Sequence, residues 1–193
     1  MRNKRILTKT NVMVFIAAVV CLTLVGRFIY MNSRYPSPKV ETFQKDEVIH
    51  IGNYEISLTD CKWSDGEVIH QICPGYKLVE IDGEEYPVEQ ERVGLAEVLV
   101  RKTGEDNTIL DLSEITFESG AWGNQFDLEL FSALNPSVEG LILDLENEEE
   151  IKIVFPITML DIQFSESAWK NVDERNFYIV LQYYPVKYQL QCK

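Results

Sequence analysis

The chain has 193 residues, of which 46% are hydrophobic and 25% are charged. Its 31 acidic residues outnumber its 18 basic residues, which gives a formal net charge of −13 at pH 7. Because such an excess of carboxylates repels phosphate groups, the composition argues against a nucleic-acid-binding function.

The first element is an apolar segment near the N-terminus. Residues 10–26 contain no charged side chain, and residues 28–31 extend the apolar stretch beyond Arg27. About 20 helical residues cross the hydrocarbon core of a membrane. The segment has no polar stripe, which argues against a buried core helix. We therefore predict a cytoplasmic basic tail over residues 1–11 and a transmembrane helix over residues 12–31.

A cleaved signal peptide is the alternative for this segment, because the chain starts with basic residues. However, no small-x-small cleavage pattern follows the apolar run. Cys21 does not fit a lipoprotein signal either, since Val20 precedes it and apolar residues continue after it. These missing features favour a permanent signal-anchor.

The distribution of basic residues predicts the orientation of the helix. More basic residues precede the predicted span than follow it, and the positive-inside rule then places the N-terminus in the cytoplasm. The basic residues are Arg2, Lys4, Arg5 and Lys9 before the span, and Arg27 and Arg34 at its far end. We predict a single-pass protein of the cell membrane, with a linker over residues 32–47 and an extracytoplasmic domain over residues 48–193.

The acidic residues all lie in the predicted outer part of the chain. The first 34 residues contain six basic and no acidic residues. Of the 18 basic and 31 acidic residues in total, the remaining 159 therefore hold 12 and 31, a formal charge of −19. Such a domain attracts metal cations, basic peptides or the basic face of a protein.

Short strand patterns, separated by turn residues, dominate the outer domain. The dipeptides Asp65-Gly66 and Asp82-Gly83 predict hairpin turns, residues 120–124 predict a loop, and residues 166–172 predict a helical turn. The predicted strands lie at residues 54–59, 67–72, 77–81, 84–88, 96–101, 110–112, 115–118, 126–130, 141–145, 151–157, 177–184 and 186–190. Many short strands of this kind are typical of an all-β fold with two packed antiparallel sheets.

Four stretches occur in a recognisable order along this domain. They are GNYEISL (52–58), AEVLVRKTGED (96–106), GAWGNQFDLELFSALNP (120–136) and LILDLENEEEIKIVFPI (141–157). In this order they resemble the immunoglobulin-like ectodomains of small, membrane-anchored Gram-positive bacterial proteins of uncharacterised function. The resemblance implies an immunoglobulin-like β-sandwich outside the membrane, and it implies no reaction.

Two acidic stretches are candidate calcium sites, because calcium prefers oxygen ligands on loops. In the hairpin around Asp82-Gly83, Glu80 is expected to face Glu85, and like charges in that position are unfavourable unless a cation lies between them. The candidate ligands are Asp82, Glu84, Glu85, Asp144 and Glu146. No other cofactor is expected.

Residues with catalytic chemistry do not form a recognisable pattern. His50 and His70 have no second ligand at metal-binding spacing, and the carboxylates are too numerous to single out a glycosidase-type pair. We therefore predict no enzyme, but an interaction module that contacts an unknown partner at the cell envelope. Trp122 is the candidate partner-binding residue, because it lies in a glycine-flanked segment. The alternative function is a sensor or sequestering protein that binds ions or cationic peptides.

Three cysteines fall in the predicted outer domain, an odd number that cannot pair completely within one chain. Cys61 has two candidate partners, Cys73 and Cys192, and the sequence does not choose between them. Small disulfide-stabilised domains contain far more cysteine, which favours no disulfide.

Overall fold

The computed structural model describes residues 9–105 and 109–192 and separates into two units, one ending at Pro38 and one beginning at Lys39. The predicted tail up to residue 8 lies outside the described residues, as do residues 106–108 and 193. The helices are α1 (Lys9–Arg34), α2 (Glu67–Ile72), α3 (Leu128–Leu134) and α4 (Glu166–Lys170). The strands are β1 (Lys39–Phe43), β2 (Val48–Ile51), β3 (Tyr54–Asp65), β4 (Glu80–Ile81), β5 (Glu84–Glu85), β6 (Glu91–Lys102), β7 (Leu110–Asp111), β8 (Thr116–Ser119), β9 (Trp122–Asn124), β10 (Ile142–Leu143), β11 (Glu150–Leu160), β12 (Tyr178–Gln182) and β13 (Val186–Gln191).

Helix α1 contains the apolar segment. Its stretch Asn11–Arg34 has 24 residues and a mean hydropathy of 2.5, and none of it is buried within the protein. The predicted span over residues 12–31 lies inside this stretch. The helix is long and apolar enough to cross a membrane, which suits either a membrane span or a signal sequence.

The second unit is a β-sandwich, as the strand patterns predicted. One sheet has the strand order β1-β13-β12-β8-β9, and the other has the order β11-β6-β3-β2. All neighbouring strands are antiparallel except β1, which runs parallel to β13 with Lys39 opposite Val186 and Phe43 opposite Leu190. Strand β1 lies in residues 32–47, the segment predicted as linker.

The core of the sandwich lies between the two sheets. In β6 the side chains of Ala96, Val98 and Val100 alternate with more exposed residues, and each is at most 1% exposed. Phe117 and Leu190 meet this face from the other sheet and are fully buried. This period of two is what a strand needs to bury one face.

Residues 67–72 form helix α2, so the prediction of a strand there is wrong. Gly66 has a φ of −66°, in the right-handed helical region, and Asp65-Gly66 therefore does not make the tight hairpin turn. Val68 and Ile72, one helical turn apart, pack against the same small core beside Leu130. Residues four apart lie on one face of a helix, so both side chains reach this core.

Residues 126–130 also differ from the predicted strand, because most of them belong to helix α3. The carboxylate of Asp127 accepts hydrogen bonds from two backbone N–H groups of the first turn, at 3.0 and 2.9 Å, which is the geometry of an N-cap. Leu130 and Phe131 are adjacent in sequence and both are buried. A strand would place these two side chains on opposite faces.

A β-bulge at Thr59 divides β3 into two halves. Even-numbered residues point into the core before the bulge, and odd-numbered residues do so after it. The inward residues before the bulge are Tyr54, Ile56 and Leu58. Beyond it the register shifts by one residue, so Cys61 pairs with Ala96 and Trp63 pairs with Gly94. Because directly paired residues share a face of the sheet, Cys61 and Trp63 lie on the inner face.

Strand β11 is an outer strand, and two asparagine side chains cover part of its free edge. The Asn135 amide donates to the Val154 carbonyl and accepts from the Val154 N–H, both at 2.8 Å. Asn124 donates to the Thr158 carbonyl at 3.3 Å. Pro156 lies between these contacts, and a proline, which has no N–H to donate, suits such an edge strand. The covered edge is protected against pairing with another chain.

Candidate functional site

Five aromatic residues meet at one end of the sandwich and form what we call the tryptophan cluster: Trp63, Trp122, Phe164, Trp169 and Phe177. The Trp63 and Phe177 ring centroids are 4.5 Å apart, and those of Trp122 and Phe164 are 5.8 Å apart in a stacked arrangement. Phe164 also contacts Trp169 at 5.7 Å. All three tryptophans of the chain are therefore gathered in one place.

Trp122 lies in β9 and not in a loop, which corrects the prediction for this segment. Gly120, with a φ of 63°, makes the turn that lets β9 pair with β8. The Trp122 indole N–H donates to the Gln163 side chain at 3.1 Å, and its ring packs edge-on against Phe177 at 6.0 Å. Trp122 is half-buried, so this part of the cluster is accessible at the protein surface.

Two arginines bring positive charge to the tryptophan cluster. The Arg92 guanidinium lies 5.4 Å from the centroid of the Trp169 ring, and the Arg175 guanidinium lies 5.6 Å from that of Phe164. Arg175 also donates to the Ser119 carbonyl at 2.6 Å. Each cation–π contact fixes the orientation of an aromatic side chain at the surface.

Trp63 lies across Gly94, which has no side chain to obstruct the indole ring. A Cβ atom at Gly94 would stand 2.8 Å from the ring, closer than packed atoms tolerate. We expect Gly94→Ala to lower the free energy of unfolding by about 1 to 3 kcal/mol, because it overpacks this contact. Urea unfolding followed by tryptophan fluorescence measures the change.

Gly123→Ala is the matched control, since a Cβ there meets the Phe117 carbonyl oxygen at an ordinary 3.6 Å. It should change stability by less than about 1 kcal/mol. An equal effect of the two substitutions would show that strand propensity, and not the contact between Gly94 and Trp63, accounts for the loss.

A cleft of about 500 Å³ lies beside the tryptophan cluster. It is lined by Trp63, Ser64, Asp65, Glu89, Arg92 and Asp173. The Arg92 side chain forms an ion pair with Asp173 at 3.6 Å and donates to the Glu89 carbonyl at 3.2 Å. The lining thus includes three acidic residues and one arginine, and the cleft combines an aromatic wall with net negative charge.

The acidic hairpin formed by β4 and β5 has the predicted register, with Glu80 opposite Glu85. A lysine and a histidine of the protein lie beside the two carboxylates. Lys77 Nζ is 3.2 Å from Glu80, and His70 Nε2 is 2.9 Å from Glu85. Each carboxylate of the pair therefore has a contact within the chain in place of an external cation.

The second group of candidate calcium ligands has its own partners as well. Asp144 Oδ1 lies 3.4 Å from Nζ of Lys102, a lysine whose side chain is only 5% exposed. The backbone N–H of Glu146 donates to the Glu149 carboxylate at 2.8 Å, which closes the acidic turn. Within residues 9–105 and 109–192, no three histidine, cysteine or acidic side chains form a group that could hold a metal ion.

We expect Asp144→Asn to lower the free energy of unfolding by about 1 to 3 kcal/mol, because it leaves the buried Lys102 cation without its carboxylate. Glu146→Gln is the matched control, since it removes a neighbouring acidic charge that does not contact Lys102. Thermal unfolding of both variants measures the difference. Equal midpoints would show that Asp144 does not stabilise Lys102.

Glu91 is a buried carboxylate at the start of β6, only 2% exposed. It packs directly against Gly66, where a Cβ atom would overlap with it. Burial, and after it the negative charge of Glu85, raises the pKa of Glu91 to about 7, while the nearby His70 acts in the opposite direction. Nothing in the local sequence pattern around Glu91 shows that its side chain is buried, so its role was not predictable.

A family model described as a domain of unknown function, DUF5028, matches residues 71–188. The chain belongs to this family. The DUF5028 domain begins at the end of α2 and finishes within β13, so it includes Trp122, Trp169 and both aromatic partners of Trp122. Trp63 and the first three strands precede it.

A comparison with curated proteins gives no match. Two solved structures are similar to this chain. A conserved hypothetical protein from Bacillus anthracis is 10% identical, with a TM-score of 0.46, and the match covers 76% of this chain and 94% of that one. An uncharacterised β-sandwich protein from Clostridium difficile 630 is 14% identical, with a TM-score of 0.44. This match covers 82% of this chain and 98% of that one.

Proposed function

We propose that this DUF5028 protein is anchored in the cell membrane by α1 and that its sandwich, an immunoglobulin-like module without catalytic activity, contacts a partner at the cell envelope. The apolar surface of α1 carries the proposal. Its stretch Asn11–Arg34, which has 24 residues, is not buried within the protein, whereas the sandwich has a complete core of its own. Apolar surface of this extent is stable in hydrocarbon and unfavourable in water.

The basic residues before α1 support an orientation in which the N-terminus is cytoplasmic and the sandwich is extracytoplasmic. Full-length chains with an epitope tag at either end test this in intact cells. An external protease should remove the C-terminal tag and leave the N-terminal tag attached to membranes. Loss of the N-terminal tag from the mature protein would show cleavage, and a protected C-terminal tag would show the opposite orientation.

The tryptophan cluster and its cleft are the surface that we propose for partner contact. Aromatic residues and arginine are enriched at protein interfaces, and here Trp122, Trp169 and Arg92 occur together. A photo-crosslinking residue at Ser64, in the cleft, should capture a membrane or wall partner. The same residue at Ser132, exposed on α3, is the control, and equal capture from both positions would contradict the assignment.

A second candidate function, binding of cationic peptides or ions, is supported by the pattern of ion pairs. Among the described residues from Lys39 onwards, ten of the eleven basic side chains lie within 4 Å of a carboxylate. The exception, Arg175, contacts Ser119 and Phe164. The surplus carboxylates are therefore available to external cations.

Thermal unfolding of the full-length chain tests this second function. A ligand that binds only the folded state raises the unfolding midpoint. Millimolar calcium and a short polylysine peptide are the probes, each at low and at high salt. A midpoint unchanged by both probes at low salt would exclude this function.

A further inference from the structure

Cys61 is placed on the inner face of its sheet by the bulge at Thr59. It pairs directly with Ala96 on β6, a residue that is fully buried. Residues paired in this way point to the same face, so the Cys61 thiol points towards the opposite sheet. Its side chain is half-buried and packs against the main core.

Cys192 follows β13 in the opposite sheet. Its backbone N–H donates to the Phe177 carbonyl at 2.8 Å, which continues the strand pairing. Leu190, two positions earlier, is fully buried, and the period of two places Cys192 on the same inner face. Its side chain packs both against the main core and against the tryptophan cluster.

The two cysteines therefore meet between the sheets. Strands β3 and β13 approach each other with Cα atoms within 8 Å, and Cys61 lies close enough to Cys192 to raise the pKa of its thiol. Residues on two strands this close need little movement to reach the Cα separation of about 4.4 to 6.8 Å found in disulfides. Cys73, in contrast, packs in a separate small core with Ile69 and Leu130.

We propose that Cys61 and Cys192 are a redox pair that closes to a disulfide between the two sheets of the sandwich. In the structure both carry free thiols, which is the reduced state of the pair. The bond would join the middle of β3 to the end of the chain. It would fix β13, and through it β1, against the other sheet.

The oxidant belongs to the class of disulfides, either a small one such as oxidised glutathione or that of a thiol–disulfide oxidoreductase. The Cys61 thiolate attacks one sulfur of that disulfide and releases the other as a thiol. Cys192 then loses its proton to solvent and attacks Cys61 Sγ, which releases the second thiol. Two protein thiols are oxidised and one external disulfide is reduced.

The environment of Cys192 decides this order of attack. Its hydrogen bond to the Cys61 thiol and its burial raise the pKa of Cys192 well above the usual value. Cys192 therefore stays protonated near neutral pH, which leaves Cys61 as the thiol that reacts first. Closure should accelerate as the pH rises, because the second step needs the Cys192 thiolate.

If the sandwich is extracytoplasmic, as the proposed function has it, the bond would persist, because disulfides are stable in that location. The chemistry itself is a property of the folded sandwich. A purified chain therefore tests it independently of membrane topology.

The experiment treats the purified full-length chain in detergent with oxidised glutathione and maps its peptides without reduction. We expect a linked pair of peptides that contain Cys61 and Cys192, and a thermal midpoint that rises by about 5 to 15 °C and returns on reduction. Cys73→Ser is the matched control and should behave like the unmodified chain. Cys192→Ser should lose both the linked peptides and the rise.

Two results would overturn the proposal. One is an oxidised chain that retains free thiols at Cys61 and Cys192 while it stays folded by tryptophan fluorescence. The other is a bond from either residue to Cys73. Because the peptide map uses the unmodified chain, the result does not depend on whether any cysteine variant folds.

Discussion

Replacement of Asn135 by alanine is expected to lower the free energy of unfolding by about 2 to 4 kcal/mol. The Asn135 side chain is 4% exposed and makes two hydrogen bonds to the backbone of Val154 and one to the Phe131 carbonyl, at 2.7 to 2.8 Å. Alanine would leave the donor and the acceptor of Val154 without partners at a partly buried edge. Urea unfolding of the full-length chain measures the loss.

Tryptophan fluorescence is a suitable probe for this measurement, because all three tryptophans lie in the sandwich and none lies in α1. The unfolding transition of the sandwich is therefore seen without interference from the apolar helix. The variant should also aggregate more readily, since an uncovered strand edge pairs with other chains.

Asn171→Ala provides a close control. Asn171 follows α4 as Asn135 follows α3, and its amide also donates to the carbonyl four residues earlier, at 3.0 Å from Ser167. It is exposed and caps only its helix, so its loss should cost less than about 1 kcal/mol. Equal losses at Asn135 and Asn171 would assign the whole effect to helix capping and would exclude a role at the β11 edge.

Glu91→Gln is expected to stabilise the protein at alkaline pH, by about 2 to 3 kcal/mol near pH 8, and to have little effect near pH 5. The reason is the burial of the carboxylate, which raises the pKa of Glu91 from 4.5 to about 7. Glutamine keeps the size and polarity of the protonated acid but cannot ionise.

The direction follows from proton linkage. A carboxyl group whose pKa is higher in the folded state than in the unfolded state favours folding fully below the unfolded value. This contribution is lost as the pH rises through the window from 4.5 to about 7. The unmodified protein should therefore lose stability across this window, and Glu91→Gln should lose less.

Unfolding free energies measured at several pH values from 5 to 8 test this expectation. Glu89→Gln, two residues earlier and exposed, is the control and should keep the pH dependence of the unmodified chain. A constant difference between Glu91→Gln and the unmodified protein at every pH would show that Glu91 does not titrate in this range.

The long strands of the sandwich were predictable, because alternation over β6 and β11 extends over enough residues to distinguish a strand from a helix. Short segments were not. Residues 67–72 carry apolar side chains at positions that suit both patterns, and the preceding Asp65-Gly66 imitates a hairpin turn. Only the helical φ of Gly66 resolves the ambiguity, and sequence does not reveal it.

The candidate site was less predictable than the fold. Trp122 was predicted as a binding residue because Gly120 and Gly123 flank it. Its aromatic neighbours come from elements far away in the sequence, so the cluster itself was not predictable. Trp63 joins them only because the bulge at Thr59 turns it inward, and a period of two without the bulge points it outward. The contact between His70 and Glu85 was not predictable either, because His70 lies in α2, the helix that was predicted as a strand.

The parallel pairing of β1 with β13 has a mechanical consequence. If α1 anchors the chain in a membrane as proposed, tension enters the sandwich at Lys39, the first residue of β1, while a bound partner would resist on the sandwich itself. Because β1 is hydrogen-bonded to β13 along its length, from Lys39 to Phe43, the load falls on the whole ladder in shear and does not peel it from one end. The first strand should thus resist extraction under tension, which suits a domain held at one end and loaded at the other.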